Sequence, residues 1–221
     1  MDQLAIPPNP LFEGMTEIEQ KALLECLKAW VKQYDKGECL LWEQEPADFL
    51  GIILIGSIEA SKLEMSGKRL IISRRGRGSV FGDALSLRNE RRSPVTVVAL
   101  ESVSALLIPV AGLLWPCQKR CSGHDKLIRN LLQNVSEKYF ELHNRLFCIT
   151  KPTVREKIMY FLENACDAVA ADRRGHVFSI PYDRAALAEY LNVERSALSR
   201  ELSAMKRDGL IDYHKNTFRL L

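Results

Sequence analysis

Two short amphipathic segments joined by a tight turn, within residues 182–211, constrain the fold of this chain more than any other feature. The apolar residues of the second segment recur at helical spacing, at Leu198, Leu202 and Met205. Four polar residues can share its opposite face: Arg195, Ser196, Ser199 and Arg200. A helix with an apolar back and a basic, polar front is typical of a helix that lies in a DNA major groove. The alternative is an ordinary solvated helix face.

The overall charge does not by itself indicate a nucleic-acid partner. The chain has 221 residues and a net charge of +3, so any basic surface must be local. With 47% hydrophobic and 27% charged residues, it is expected to fold as one or two soluble domains. The N-terminus lacks the basic and apolar regions of a signal peptide. The most apolar stretch, 95–115, contains polar residues and Pro109, so it suits strands better than a membrane helix. We expect a cytoplasmic protein without a membrane partner.

The front half reads as β-structure behind one short helix, which begins at a capping box formed by Thr16 and Glu19. Short apolar runs bounded by glycine then follow one another. The candidate strands are Leu40–Trp42, Leu50–Ile55, Ile58–Leu63, Leu70–Ser73, Val95–Ala99 and Ala105–Ile108. Regularly spaced short strands predict a sandwich or barrel.

The apolar period changes at about residue 122. From there the apolar residues recur in alternating steps of four and three, at Ile128, Leu132, Val135, Tyr139, Leu142 and Leu146. Such a heptad line is typical of a two-stranded helical seam and predicts a homodimer. Leu127 and Leu131 form a second stripe on the same helix. The alternative is a helix that packs only on its own domain.

The C-terminal part reads as a winged helix. A hinge is predicted at 147–152, and Thr153 with Glu156 forms a capping box that starts the next helix. A short strand at 177–180 precedes the helix pair, and a hairpin over 211–221 turns near Lys215 and Asn216. The predicted class is therefore α+β. The predicted domains are a β-domain at 1–121, a dimerisation helix and hinge at 122–148, and a winged helix-turn-helix at 149–221.

These motifs, in this order, resemble the bacterial Crp/Fnr family of transcription regulators over nearly the whole chain. In the front half the resemblance is carried by Gly37-Glu38, Gly56-Ser57-Ile58, Gly78, Phe81-Gly82-Asp83 and Arg92-Ser93. In the tail it is carried by 191–200 and 209–211. It implies a double-stranded β-helix (a jelly-roll, cupin-like β-roll) that senses an effector, a long dimerisation helix, and a winged helix that binds a near-palindromic operator. RNA polymerase is a further partner that such a regulator is expected to contact.

The same resemblance implies roles for residues of the tail. Arg200 matches the family's base-contacting arginine and is expected to read guanine, while Ser199 and Arg195 would contact a base or a phosphate. Ser196 departs from the glutamate that close relatives often carry, so the base read at that step is open. The resemblance places His214 at a contact with the DNA backbone. Apart from the resemblance, the basic side chains of Arg184 and Lys206 are expected to contact phosphates.

The effector pocket departs from its cAMP-binding relatives. Gly82 is followed by Asp83, one methylene shorter than the ribose-binding glutamate of the family. Arg92 and Ser93 match the pair that holds the cyclic phosphate, and a guanidinium beside a hydroxyl suits an oxyanion. Residues 141–142, Glu-Leu, occupy the adenine-contacting position. The resemblance therefore favours a small anionic effector other than cAMP. The alternative is a vestigial pocket in which Arg92 pairs with Asp83.

Other functions remain open beside this one. The spacing of Cys117, Cys121 and His124 could hold a metal or a redox-active thiol on one helix face. A third possibility is a ligand-binding module that acts on a protein partner. An enzyme is not expected, because the chain has no nucleophile–base motif, phosphate loop or metalloprotease motif. No cofactor or bound metal is assigned from the sequence.

Overall fold

The computed structural model of the chain describes residues 6–65, 67, 69–83, 92–113, 122–167 and 175–221. It divides into two compact units, each built from two chain segments. The first unit comprises Met1–Lys62 and Ile72–Tyr139, and the second comprises Leu63–Ile71 and Phe140–Leu221. No helix within the described ranges is long and apolar enough to cross a membrane.

The first unit begins with helix α1, Glu17–Cys26, and continues as a roll of antiparallel strands, of which Leu63 and Arg69–Ile71 fall to the second unit. The strands are β1 Trp30–Tyr34, β2 Cys39–Leu41, β3 Phe49–Ile55, β4 Ile58–Leu63, β5 Arg69–Arg75, β6 Val80–Phe81, β7 Thr96–Ala99 and β8 Val103–Pro109. They form two four-stranded sheets, in the orders β1-β8-β3-β6 and β2-β7-β4-β5. The β3–β4 turn needs Gly56, whose φ is +88° and whose added Cβ would lie 2.5 Å from the Ser102 carbonyl oxygen.

Strand β3 is buried on both of its faces. Ile53 faces a core shared by the two sheets, together with Ile58, Val97 and Leu107. Its neighbour Ile52 faces the other way, into a core that includes Leu23 of α1. This alternation explains why β3 reads as a continuous apolar run rather than as an alternating one.

The longest helix, α2, runs over Ser122–Ile149. Leu127 and Leu131 are fully buried in the first unit, against the same core that receives Ile52. The division between the two units falls within this helix, between Tyr139 and Phe140.

The second unit contains a winged helix. Its elements are α3 Val154–Asp167, β9 Val177–Ser179, α4 Arg184–Leu191, α5 Arg195–Arg207, β10 Ile211–His214 and β11 Thr217–Leu220. The three strands form one antiparallel sheet in the order β10-β11-β9. Leu162, Leu187, Leu202 and Phe218 meet in a common core, which joins all three helices to the sheet.

The predicted α+β class and its three-part order are confirmed, and most predicted element bounds hold within a few residues. The Thr16–Glu19 capping box is present, and the final hairpin turns at Lys215-Asn216 as predicted. The predicted break at 147–152 begins later, because α2 continues to Ile149. The sequence patterns missed β1 and β6, and the predicted turn at 172–175 lies mostly outside the described residues.

Candidate DNA-binding face and effector region

The turn between α4 and α5 is fixed by local hydrogen bonds and one special backbone conformation. Asp183 caps α4, because its Oδ1 accepts a hydrogen bond from the Ala186 N–H over 2.8 Å. Asn192 ends α4 with a φ of +52°, a left-handed conformation that asparagine tolerates well. The Val193 N–H then donates to the Ala188 carbonyl over 3.0 Å. The chain therefore reverses in a few residues and enters α5 in one defined direction.

Helix α5 has a fully buried back and an exposed front. Its buried residues are Leu198, Leu202 and Met205. Its exposed residues include all four that the sequence placed on a reading face: Arg195, Ser196, Ser199 and Arg200. Glu194 precedes the helix and makes no side-chain cap hydrogen bond. The structure therefore brings the four predicted side chains together on one solvent-facing surface in the first two turns, where a recognition helix meets base edges.

Arg184 lies against the wing rather than projecting freely. Its guanidinium carbon is 4.5 Å from the ring centroid of Tyr213 and 5.2 Å from that of Phe218. Burial of the group lowers the pKa of Arg184 from its usual value. Because both rings belong to the β10–β11 hairpin, this stacking fixes α4 against the wing. Its predicted phosphate contact stays a prediction.

Lys206 and His214 lie on either side of the start of the wing. The Lys206 Nζ is 2.6 Å from Asp212 Oδ1, and Arg219 approaches the other oxygen of the same carboxylate over 3.3 Å. The hydrogen bond from Lys206 lowers the pKa of Asp212. His214 is exposed at the end of β10, beside Lys215, whose φ is +53°. The wing thus presents His214 to solvent, while Lys206 and Arg219 share the single carboxylate of Asp212.

Asp83, the predicted effector-binding carboxylate, is buried and already contacted by α2. Asn134 Nδ2 donates to Asp83 Oδ2 over 2.6 Å, and Lys138 Nζ donates to Asp83 Oδ1 over 2.8 Å. Lys138 also donates to the Val80 carbonyl over 2.6 Å. Asp83 is 3% exposed and Asn134 is 5% exposed, so the contact is almost dry. Gly82 brings the chain into this position with a φ of +73°.

Arg92 and Ser93 have partners of their own. Arg92 is exposed and its Nη1 donates to the Gln44 carbonyl over 2.8 Å. Ser93 is buried, and its hydroxyl donates to the Val95 carbonyl over 2.6 Å. The described contacts of Asp83 and of Arg92 therefore involve different residues. Arg92 remains a candidate anion ligand through its exposed guanidinium, whereas Ser93 would have to exchange an internal hydrogen bond.

The predicted cysteine–histidine group is only partly within the described residues. Cys117 and Cys121 lie outside them. His124 is buried, and its Nε2 lies 3.1 Å from the Leu113 carbonyl, so that nitrogen carries a proton and cannot bind a metal in this arrangement. In the described part of the chain, no group of three or more His, Cys, Asp or Glu residues could hold a metal ion. Burial raises the pKa of the Cys148 thiol to about 11, which keeps it protonated and unreactive at neutral pH.

The predicted dimer seam forms a line along α2. Four of its residues are more than half exposed: Leu132, Tyr139, Leu142 and Leu146. Ile128 and Val135 are half-buried, and Val135 packs partly against the core of the first unit. Phe140 and Phe147 add exposed apolar surface beside this line. A single chain therefore leaves a long apolar strip of α2 in contact with water.

Sequence reasoning missed Asn134 and Lys138, although a signal for them was present. They continue the buried stripe that begins at Leu127 and Leu131, in further steps of three and four. A polar residue in line with a buried stripe must find a buried partner. The identity of that partner, Asp83, could not be read locally, because it lies about fifty residues earlier in the chain.

Comparison with known proteins agrees with this geometry. The cyclic nucleotide-binding domain family matches residues 31–120, and the Crp-like helix-turn-helix domain family matches residues 156–221. Together the two matches cover more than two thirds of the chain.

Two curated regulators are similar to most of the sequence. The global nitrogen regulator of Synechococcus elongatus is 22% identical over 188 residues, covering 84% of this chain and 82% of that protein. The transcriptional activator protein FnrL of Cereibacter sphaeroides is 23% identical over 198 residues, covering 87% of this chain and 76% of that protein.

Among solved structures, FixK2 from Bradyrhizobium japonicum has the same fold. It superposes with a TM-score of 0.67 at 21% identity, over 87% of this chain and 92% of that chain. With both domain families present in this order and both curated relatives being regulators, the chain belongs to the Crp/Fnr family of transcription regulators.

Proposed function

We propose that the protein acts as a homodimer that reads a near-palindromic DNA operator with two copies of α5. The observation that carries this proposal is the exposed front of α5, in which two arginines and two serines stand over a fully buried apolar back. Two such helices one DNA turn apart, about 34 Å, would read symmetric half-sites. The exposed strip of α2 supplies a surface through which two chains could associate.

The proposal assigns one task to each predicted domain. Residues 1–121 sense an effector, residues 122–148 hold the dimer together, and residues 149–221 bind DNA. Action in the cytoplasm and contact with RNA polymerase belong to the same proposal, since a transcription regulator must meet both its operator and the polymerase there.

Arg200 is the residue proposed to read a base. An arginine can donate two hydrogen bonds to guanine O6 and N7, which no other base accepts equally well. We expect Arg200→Ala to weaken binding to the selected operator by about 1–3 kcal/mol and to relax the preference at one position in each half-site. The measurement is a DNA selection from random sequence with both proteins, followed by titration of the selected operator.

A matched control uses Arg207→Ala, which removes an exposed arginine from the last turn of the same helix. It should leave the selected sequence unchanged. If Arg200→Ala instead weakens binding to all DNA sequences equally, Arg200 contacts only the phosphate backbone.

We also propose that a small anion is the effector and that Arg92 holds it. The exposed guanidinium of Arg92 supports this, because it offers a fork of donors that suits an oxyanion. The carboxylate of Asp83 is a poorer candidate contact, since a ligand would have to displace Lys138 or Asn134 from it.

Arg92→Ala is expected to lose a retained anion without losing basal, non-specific DNA binding. Native mass spectrometry of the purified protein, before and after the substitution, measures the bound mass directly. Lys62→Ala provides a control cation in the same unit, half exposed and paired with Glu43. If the same molecule stays bound to the Arg92→Ala variant, Arg92 does not hold it.

A further inference from the structure

Arg155, in the first turn of α3, joins that helix to α5 through two carboxylates. Its Nε lies 2.5 Å from Glu201 Oε1, and its Nη1 lies 2.8 Å from Asp208 Oδ2. The two hydrogen bonds raise the pKa of the guanidinium above its usual value. An arginine guanidinium stays charged at physiological pH, so both contacts are ion pairs.

Glu201 and Asp208 are attached about two helical turns apart, but their carboxylates converge on one guanidinium. Glu201 and Asp208 are separated by seven residues, which corresponds to a rise of about 10.5 Å along a helix. The two acidic side chains converge, so that two nitrogens of one planar guanidinium each contact one carboxylate. A lysine ammonium lacks this planar fork. Asp208 stands at the C-terminal cap of α5, where a negative charge is unfavourable beside the helix dipole. The contact with Arg155 offsets that cost.

The turn that carries Arg155 is itself held in place. The Thr153 hydroxyl donates to Glu156 Oε2 over 2.9 Å, and the Glu156 N–H donates back to that hydroxyl over 3.2 Å. This capping box, which the sequence predicted, fixes the first turn of α3, a few residues after the end of α2. The backbone that carries Arg155 is therefore held in place.

The bridge adds directional constraints on the rotation and the translation of α5 to the apolar contacts of that helix. Leu198, Leu202 and Met205 bury the back of the helix, but the hydrophobic effect that holds them there is non-directional. Two charge-assisted hydrogen bonds at separate points along the axis fix both the rotation and the translation of α5. Base readout by Arg200 depends on both, because bidentate contacts require the correct distance and plane.

We propose that Arg155 is a positioning residue for DNA recognition, which holds α5 in the orientation that lets Arg200 and Ser199 meet base edges. This inference rests on the proposed reading role of α5. It assigns Arg155 no contact with a base, and it makes Glu201 and Asp208 positioning residues through their contacts with Arg155.

The test is a double-mutant cycle on DNA specificity. Arg155→Met and Glu201→Gln are each expected to lower the ratio of specific to non-specific DNA affinity about three- to tenfold, and the double variant to be little worse than either alone. Fluorescence anisotropy with the selected operator and a scrambled duplex measures both affinities across a salt series. The salt dependence of non-specific binding should be unchanged, because no phosphate contact is lost.

A direct phosphate contact by Arg155 would give a different result. Arg155→Met would then weaken specific and non-specific binding equally and reduce the salt slope by about one, while Glu201→Gln would not weaken binding. That outcome overturns the proposal. Arg207→Met is the matched control, since it removes a cation from α5 without touching the bridge and should leave the ratio unchanged.

Failure of the positioning role can be told apart from failure of the reading role. If Arg200→Ala lowers the specificity ratio but Arg155→Met does not, only the positioning role is wrong. If Arg200→Ala also leaves the ratio intact, α5 does not read bases. Arg155→Lys, which keeps the charge but not the fork, should show an intermediate ratio, and circular dichroism should show all variants folded.

Discussion

Lys138→Met is expected to lower the free energy of unfolding of the first unit by about 3 kcal/mol, which is large for one substitution. Asp83 is 3% exposed, so removing the ammonium leaves a buried carboxylate with the Asn134 amide as its remaining described donor from α2. The Val80 carbonyl loses a donor at the same time. Chemical denaturation followed by the fluorescence of Trp30 and Trp42, both in the first unit, measures this loss.

Two control variants separate charge burial from the loss of a lysine. Lys126→Met removes another lysine from the same helix. The ion pair of Lys126 with Glu19 is more exposed than that of Lys138 with Asp83, so its loss should lower the free energy of unfolding by less than about 1 kcal/mol. Adding Asp83→Asn to Lys138→Met removes the buried negative charge that Lys138 no longer compensates, and it should recover part of the lost free energy of unfolding. Equal costs for Lys138→Met and Lys126→Met, or no recovery in the double variant, would contradict the buried pair.

Leu142→Asp is expected to convert the proposed dimer into monomers. The side chain is 56% exposed in the single chain, so the substitution should hardly affect the folded monomer. In the dimer it would remove two leucines from the seam and place two carboxylates near each other. We expect a cost of about 4 kcal/mol, which corresponds to roughly a thousandfold weaker association.

Sedimentation equilibrium at micromolar concentration measures the effect of Leu142→Asp. Asn144→Asp adds the same charge to another exposed position of α2, about 200° around the helix, and should leave the dimer intact. If Leu142→Asp remains dimeric, the heptad line is not the interface. If Asn144→Asp dissociates as readily, net charge rather than the seam controls association.

Local patterns were sufficient for much of the fold. The heptad steps gave α2 almost in full, because a long period-3.6 signal survives the variation of single residues. The Thr153–Glu156 box gave the start of α3, since both of its hydrogen bonds are made within one turn. Strand β1 was missed because Trp30–Tyr34 carries Lys32 and Gln33 between its apolar residues, which hides the apolar run that marks the other strands. Strand β6 has two residues, too few for any pattern.

Some residues of the candidate sites could be named from local sequence patterns, and others could not. The front of α5 follows from helical spacing alone, so its four exposed residues could be named from the sequence. The partners of Asp83 and Arg155 depend on which distant elements pack together, and no local pattern encodes that. Arg184 illustrates the same limit, because its stacking on Tyr213 and Phe218 could not be read from its place at the start of α4.

The uncovered apolar strip of α2 also bears on how the regulator would respond to its own abundance. If two chains must meet along this strip before they can occupy a palindrome, operator occupancy rises with the square of the chain concentration when the protein is scarce. A modest change in expression would then produce a disproportionate change in bound operator. A chain without a partner would meanwhile expose Tyr139, Leu142 and Leu146 to other apolar surfaces, which favours aggregation or removal by proteolysis. The strip would thus set a threshold of abundance below which the operator stays empty.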